Sequence, residues 1–259
     1  MSISLSDVET VLFCDESKFY INNGDFEDSI YYFCVTVPTN KVALLHNQIN
    51  GLFKSHRIKS TSFHSTDIFR EKRPRERLID DLTELIINNQ LHCFCFKYWK
   101  ELLYEPTKYL KYLNDNDIID FNNPEFQALF YFIIVFNTHL RDNMSQLFGD
   151  KMIMYFDRNV YGKKDTEAFN FPSEHYVIKR MTFSEKSLIS LLALPDFFGY
   201  IFRKSKTSHN RAHSGDNSLE TSRLVVKCHE CLLKIFDEKL FHFLDINQQA
   251  LERALVINF

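Results

Sequence analysis

The stretch "VLFCDES", residues 11–17, constrains the fold more than any other. Val11, Leu12, Phe13 and Cys14 form an uninterrupted apolar run. Such a run suits a strand covered on both faces, and therefore a sheet sandwiched between helices. The run ends in two carboxylates, Asp15 and Glu16. The same design returns at "MIMYFD", where an apolar run ends in Asp157. Further strands are expected at about 30–37, "IYYFCVTV", at 91–99, "LHCFCFKYW", and at about 175–183. Between them lie segments with apolar residues at helical spacing. One spans about 41–56, with Val42, Leu45, Ile49 and Phe53 on one face. Another carries Leu78, Leu82, Leu85 and Ile86. Strands alternating with helices give the α/β class, a mixed sheet flanked by helices.

Residues 100–142 read as a helical insertion, which includes the longest apolar run, Ala128–Phe136. That run is well short of the ~20 residues needed to span a bilayer, so no membrane partner is expected. A strongly apolar helix is expected at about 185–203, a polar loop at 204–217, and one or two amphipathic helices beyond. The expected organisation is a main domain over 1–217 and a C-terminal helical extension over 218–259. That extension either packs back on the domain or pairs with a second copy in a homo-oligomer.

Composition narrows the function. The chain has 259 residues and only 6 Gly, and it contains neither GxGxxG nor GxxxxGK[ST]. Phosphate-cradling glycine loops are therefore not its chemistry. A net charge of −3 means that a polyanion would need a local basic patch or a bound metal. Six Cys without a secretory leader point to reduced thiols in the cytoplasm. Cys228 and Cys231 in "CHEC" share a helical face with Leu224 and Leu232 and read as core thiols, since zinc would need two further ligands.

Open α/β sheets bind ligands beyond the carboxyl ends of their strands. If the strands ending in Asp15 and Asp157 are parallel neighbours, their carboxylates converge and call for a cation. Asp196 is a candidate third member, because it stands among apolar residues in "LISLLALPDFFGYIF". The alternative is turn chemistry, for which Asp after a strand is common. Pro195 before Asp196 permits a helix break or kink. Two basic segments, "FREKRPRER" with Arg70, Lys72 and Arg73, and "RKSKTSHNRAH" with Arg203, Lys204, Lys206 and Arg211, are candidate phosphate contacts. Their alternative is a solvated charged face.

In this order, "DES" at 15–17, "FHS" at 63–65, "YFD" at 155–157 and "ALPD" at 193–196 resemble the motifs of the family called domain of unknown function 3800, which is similar in fold to ribonuclease H. The resemblance spans about residues 10–203. It implies a ribonuclease H-like mixed sheet and a carboxylate site for Mg²⁺ or Mn²⁺, acting as a nuclease or phosphodiesterase on nucleic acid. Asp15 would be the central ligand, Asp157 and Asp196 further ligands, and Glu16 a reserve. His64 would position water or phosphate. The chain departs from the family pattern at Lys18, Ser62, Ala193 and Pro195. These departures leave a second reading, a catalytically degenerate binding or scaffold protein on the same fold.

Overall fold

The computed structural model describes residues 8–20, 26–59, 63–70, 75–99, 124–157, 168–171, 175–213 and 222–258. In chain order the elements are β1 (Thr10–Tyr20), β2 (Phe26–Pro38), α1 (Val42–Ser55), α2 (Ser65–Ile68), α3 (Glu76–Asn88) and β3 (Cys93–Trp99). After these come α4 (Pro124–His139), which runs through a π-helical turn into the short α5 (Ser145–Phe148), then β4 (Met152–Asp157), β5 (Ala168–Asn170) and β6 (Ile178–Ser184). A 3-10 turn at Ser190–Leu192 leads into α6 (Ala193–His213), and the chain closes with α7 (Arg223–Asp237), β7 (Phe241–Ile246) and α8 (Gln248–Asn258).

The strands form one mixed seven-stranded sheet in the order β5-β6-β4-β1-β2-β3-β7. β1 is antiparallel to β2 and β2 to β3, while β1 is parallel to β4 and β4 to β6. The sheet separates two apolar layers. Val11 and Phe13 of β1, Phe33 and Val35 of β2, and Cys93 and Cys95 of β3 pack beneath α1, α3, α6 and α7. Leu12, Cys14, Tyr32, Cys34, Phe94, Phe96, Met154 and Phe156 pack on the other face against α4 and α8. Both alternating sets of each central strand are buried, which is why these strands read as continuous apolar runs. Phe supplies much of the filling: Phe132 packs edge-on against Phe96 and Phe156, and Tyr32 stacks on it at 4.6 Å.

Several expected boundaries move. β1 continues through Asp15 and Glu16, which pair with Phe33 and Tyr32 of β2. The alternative reading of these acids, a turn directly after the strand, therefore does not hold. The segment 204–213, expected as a loop, continues α6. Lys204 and Lys206 fit a helix because their long stems lie against Tyr200 and Tyr31, with Nζ atoms 5.9 and 4.7 Å from the ring centres. Pro195 does not break the helix. It lies in the first turn of α6, where backbone N–H groups have no intrahelical acceptor. The C-terminal segment, expected as helices alone, contains β7, which pairs in parallel with β3. Residues 100–123 of the expected insertion lie outside the described residues, and α4 belongs to the core. Among the described residues no helix is long and apolar enough to cross a membrane.

Candidate functional site

β1 and β4 run side by side only as far as Cys14 and Phe156. The next residue of each strand is an aspartate. Strand alternation then fixes their direction. Val11 and Phe13 face the layer that holds α6, so Asp15 shares that side. Tyr155 packs on the same layer, so Asp157 does too. The ring of Phe13 stacks on that of Tyr155 at 5.8 Å, forming a floor one pleat below the two acids. Asp196 comes from above, in the first turn of α6, where the helix dipole favours negative charge.

The close seating of α6 depends on Gly199. A Cβ there would lie 2.7 Å from Phe33 Cδ2. Phe33 is the β2 partner of Asp15. The glycine thus lets the helix settle on the sheet beside the site, three residues from Asp196.

The three carboxylates meet around a residue that the motif reading did not include, Lys186. It lies just after β6. Its Nζ is 2.8 Å from Asp196 Oδ2, 3.0 Å from Asp157 Oδ2 and 3.5 Å from Asp15 Oδ2. The side chain is 6% exposed, against 3% for Asp157, 10% for Asp196 and 15% for Asp15. Lys is almost never this buried without partners. Burial works against its positive charge, but Asp15, Asp196 and Asp157 together outweigh burial and hold the ammonium above its ordinary range. One ammonium does not balance three carboxylates. Burial first, then the charges of Asp196 and Asp157, push the Asp15 carboxyl up to about 7, despite the opposing pull of Lys186 and of the Glu16 N–H. That N–H donates to Asp15 Oδ1 at 2.9 Å.

The segment before α2 closes one side. The Ser65 N–H donates to Asp196 Oδ2 at 3.3 Å, and His64 Nδ1 stands 3.8 Å from the same oxygen. Tyr200 of α6 donates to the Phe69 carbonyl at 2.8 Å, tying this segment down. Ser65 Oγ is buried and has no hydrogen-bond partner among the described residues. His64 is 48% exposed and sits at the rim.

The expected site residues divide accordingly. Asp15, Asp157 and Asp196 converge, and His64 stands beside them. Glu16 shares the strand parity of Leu12 and Cys14, so it faces the opposite side of the sheet, and its backbone N–H reaches Asp15 of the cluster. Arg70 is exposed near the His64 segment and donates to the Asp67 carbonyl. Arg203, Lys204 and Lys206 follow Asp196 along α6. Lys206 donates to the Tyr31 hydroxyl, some ten residues and about 15 Å along the axis from Asp196. Lys72, Arg73 and the side chain of Arg211 lie outside the described residues.

The donor set suits a hard divalent cation in charge and chemistry: three carboxylates, all oxygen, with an unsatisfied hydroxyl beside them. The space does not suit it as it stands. Mg²⁺ binds oxygens at about 2.1 Å, whereas the carboxylates here are spread around an ammonium. Among the described residues no three His, Cys, Asp or Glu side chains stand in metal-ligating geometry. Residues for a metal are present, provided that Lys186 leaves the position between them. Cys228 and Cys231 are buried free thiols of the core, as expected. Comparison with protein-family models, with curated proteins and with solved structures finds no match for this chain.

Proposed function

We propose that the chain is a metal-dependent nuclease or phosphodiesterase of ribonuclease H-like fold that acts on nucleic acid with Mg²⁺ or Mn²⁺. The observation that carries this reading is the convergence of Asp15, Asp157 and Asp196 on a single cation position. They come from two neighbouring parallel strands and from the helix above them. Asp15, on β1 one residue beyond its last pairing with β4, would be the main ligand, and Asp157 and Asp196 further ligands. A bound divalent ion would supply a nucleophilic water at neutral pH and offset charge on a phosphoryl oxygen.

The protein's own part is positioning. His64, half-exposed at the rim, is placed to orient water or a phosphate oxygen. Arg70 beside it and Arg203 and Lys204 along α6 offer cationic groups for a backbone approaching from that side. Such contacts are independent of sequence and weaken with salt. Six buried free thiols support the cytoplasmic setting.

The full chain, incubated with single- and double-stranded DNA and RNA and with Mg²⁺ or Mn²⁺, is expected to cleave at least one of them. Chelator should abolish cleavage. Asp15→Asn and Asp157→Asn should each lower it by about 100-fold or more, since loss of an outer-shell group alone costs 10–100-fold. No cleavage with either ion, or normal cleavage by both variants, would sink this reading.

Lys186 favours a second reading. An ammonium held permanently between the carboxylates makes the site a structural ion cluster, and the chain a catalytically degenerate binding module. That reading expects nucleic-acid or protein binding indifferent to chelator.

A further inference from the structure

We infer that Lys186 is a built-in counter-ion that competes with a divalent cation for Asp15, Asp157 and Asp196, so that metal enters only when the lysine leaves. The inference rests on the metal-dependent reading of the site and adds to it a residue that sets the metal requirement.

The geometry is that of an occupied cation position. An ammonium has three N–H donors, and three carboxylate oxygens stand at 2.8, 3.0 and 3.5 Å from it. All three partners use Oδ2, so one oxygen of each acid is committed to the lysine. Asp157, at 3% exposure, has almost no access to water, and a buried carboxylate without a cation is strongly disfavoured. Lys186 therefore holds the site together when no ion is bound.

The segment that bears Lys186 lets it leave without disturbing the sheet. β6 ends at Ser184. The N–H groups of Leu188 and Ile189 both donate to the Glu185 carbonyl, at 3.0 and 2.9 Å, so the backbone around Lys186 is a closed turn. The four-carbon lysine stem is flexible, and rotation about its own bonds moves the ammonium while the turn stays in place. Neighbouring Leu188 is 67% exposed, so the outer side of this turn opens to solvent.

Competition has a measurable consequence. When the binding-competent state is only a fraction of the population, apparent affinity falls by that fraction. A lysine that occupies the position for 90–99% of the time weakens metal binding by about 10- to 100-fold. Removing the ammonium while keeping an apolar stem of similar length, in Lys186→Met, should remove that penalty.

The test is calorimetric titration of Mn²⁺ into the full-length wild type and K186M, together with thermal melting with and without Mn²⁺. K186M is expected to bind Mn²⁺ at least about tenfold tighter than wild type, to melt lower than wild type without metal, and to recover when Mn²⁺ is added. Equal or weaker affinity in K186M overturns the inference, as does a complete lack of Mn²⁺ binding by K186M. If K186M does not fold alone, refolding is compared with and without Mn²⁺. Recovery only with the ion supports the inference, and failure in both overturns it. A gain of affinity in K186M, with no cleavage of nucleic acid by the wild type, keeps the inference and removes the nuclease reading. Cleavage by the wild type, with unchanged Mn²⁺ affinity in K186M, does the reverse.

Discussion

Asp15 is the carboxylate that registers the excess of negative charge around Lys186. Its carboxyl is raised from 3.8 to about 7, first by burial and then by Asp196 and Asp157. A folded-state value above the unfolded one means that the native state binds the extra proton between about pH 4 and 7. Stability without metal should therefore fall as pH rises through that window. Asp15→Asn removes the charge and keeps the shape. It should raise stability by about 1–2 kcal/mol at pH 5 and by on the order of 4 kcal/mol at pH 8. Urea denaturation at the two pH values checks this, and a D15N protein less stable than wild type at pH 8 would contradict it. The same residue shows what was legible in the sequence. An acid directly after an apolar strand, repeated at Asp157, announces a strand-end site, and Asp196 stands out because its neighbours are apolar. Lys186 carries no such signal. In "TFSEKSLIS" it has polar neighbours and looks like any surface lysine, and only the fold brings it between three acids.

At the scale of elements, the apolar periodicities that locate α1, α3 and the central strands describe faces buried against a partner, so they are written in the sequence. The strands at the sheet's margins are not. β5 has three residues, and in β7 only Ile246 is fully buried, so neither imposes the continuous apolar run of an interior strand. The length of β1 was also hidden, because its last residues pair with β2 beyond Cys14, where the pairing with β4 ends. The seating of α6 is more specific than periodicity, since it turns on Gly199 against Phe33. Gly199→Ala gains about 1 kcal/mol of helix propensity. It also forces a methyl group to within 2.7 Å of the Phe33 ring, where Phe198 and Phe202 already pack at 5.6 Å. Overpacking of this kind costs about 1–3 kcal/mol, so a net loss of up to about 2 kcal/mol is expected from chemical denaturation. The helix must lift, and Asp196 lifts with it. Mn²⁺ affinity should fall in the same variant although no ligand has changed. An unaltered affinity would mean that Asp196 is positioned by other contacts.

At the scale of the whole molecule, the two apolar layers are completed by the last forty residues. Leu224, Cys228, Cys231 and Ile235 of α7 enter the layer that also holds α3 and α6. Ile246, Leu251, Ala254 and Leu255 enter the opposite layer with α4. β7 supplies main-chain partners to β3 from Cys93 to Tyr98, and the His92 and His242 rings meet across this seam at 2.8 Å. The Lys227 ammonium pairs with Asp80 of α3 at 2.6 Å. A chain cut after residue 217 would lose cover on both faces at once and leave β3 as an open edge flanked by Phe94 and Phe96. Exposed apolar edges of this kind recruit other chains. The truncated protein is therefore expected to collect in the insoluble fraction, or to bind a hydrophobic dye and melt without a cooperative transition. The fragment 1–217 would then fail in nuclease and metal-binding assays for want of a fold, even though every proposed ligand and Lys186 lie within it. A soluble, monomeric 1–217 with a sharp thermal transition would show instead that the sheet closes without β7, and that the C-terminal segment is an addition rather than a structural member.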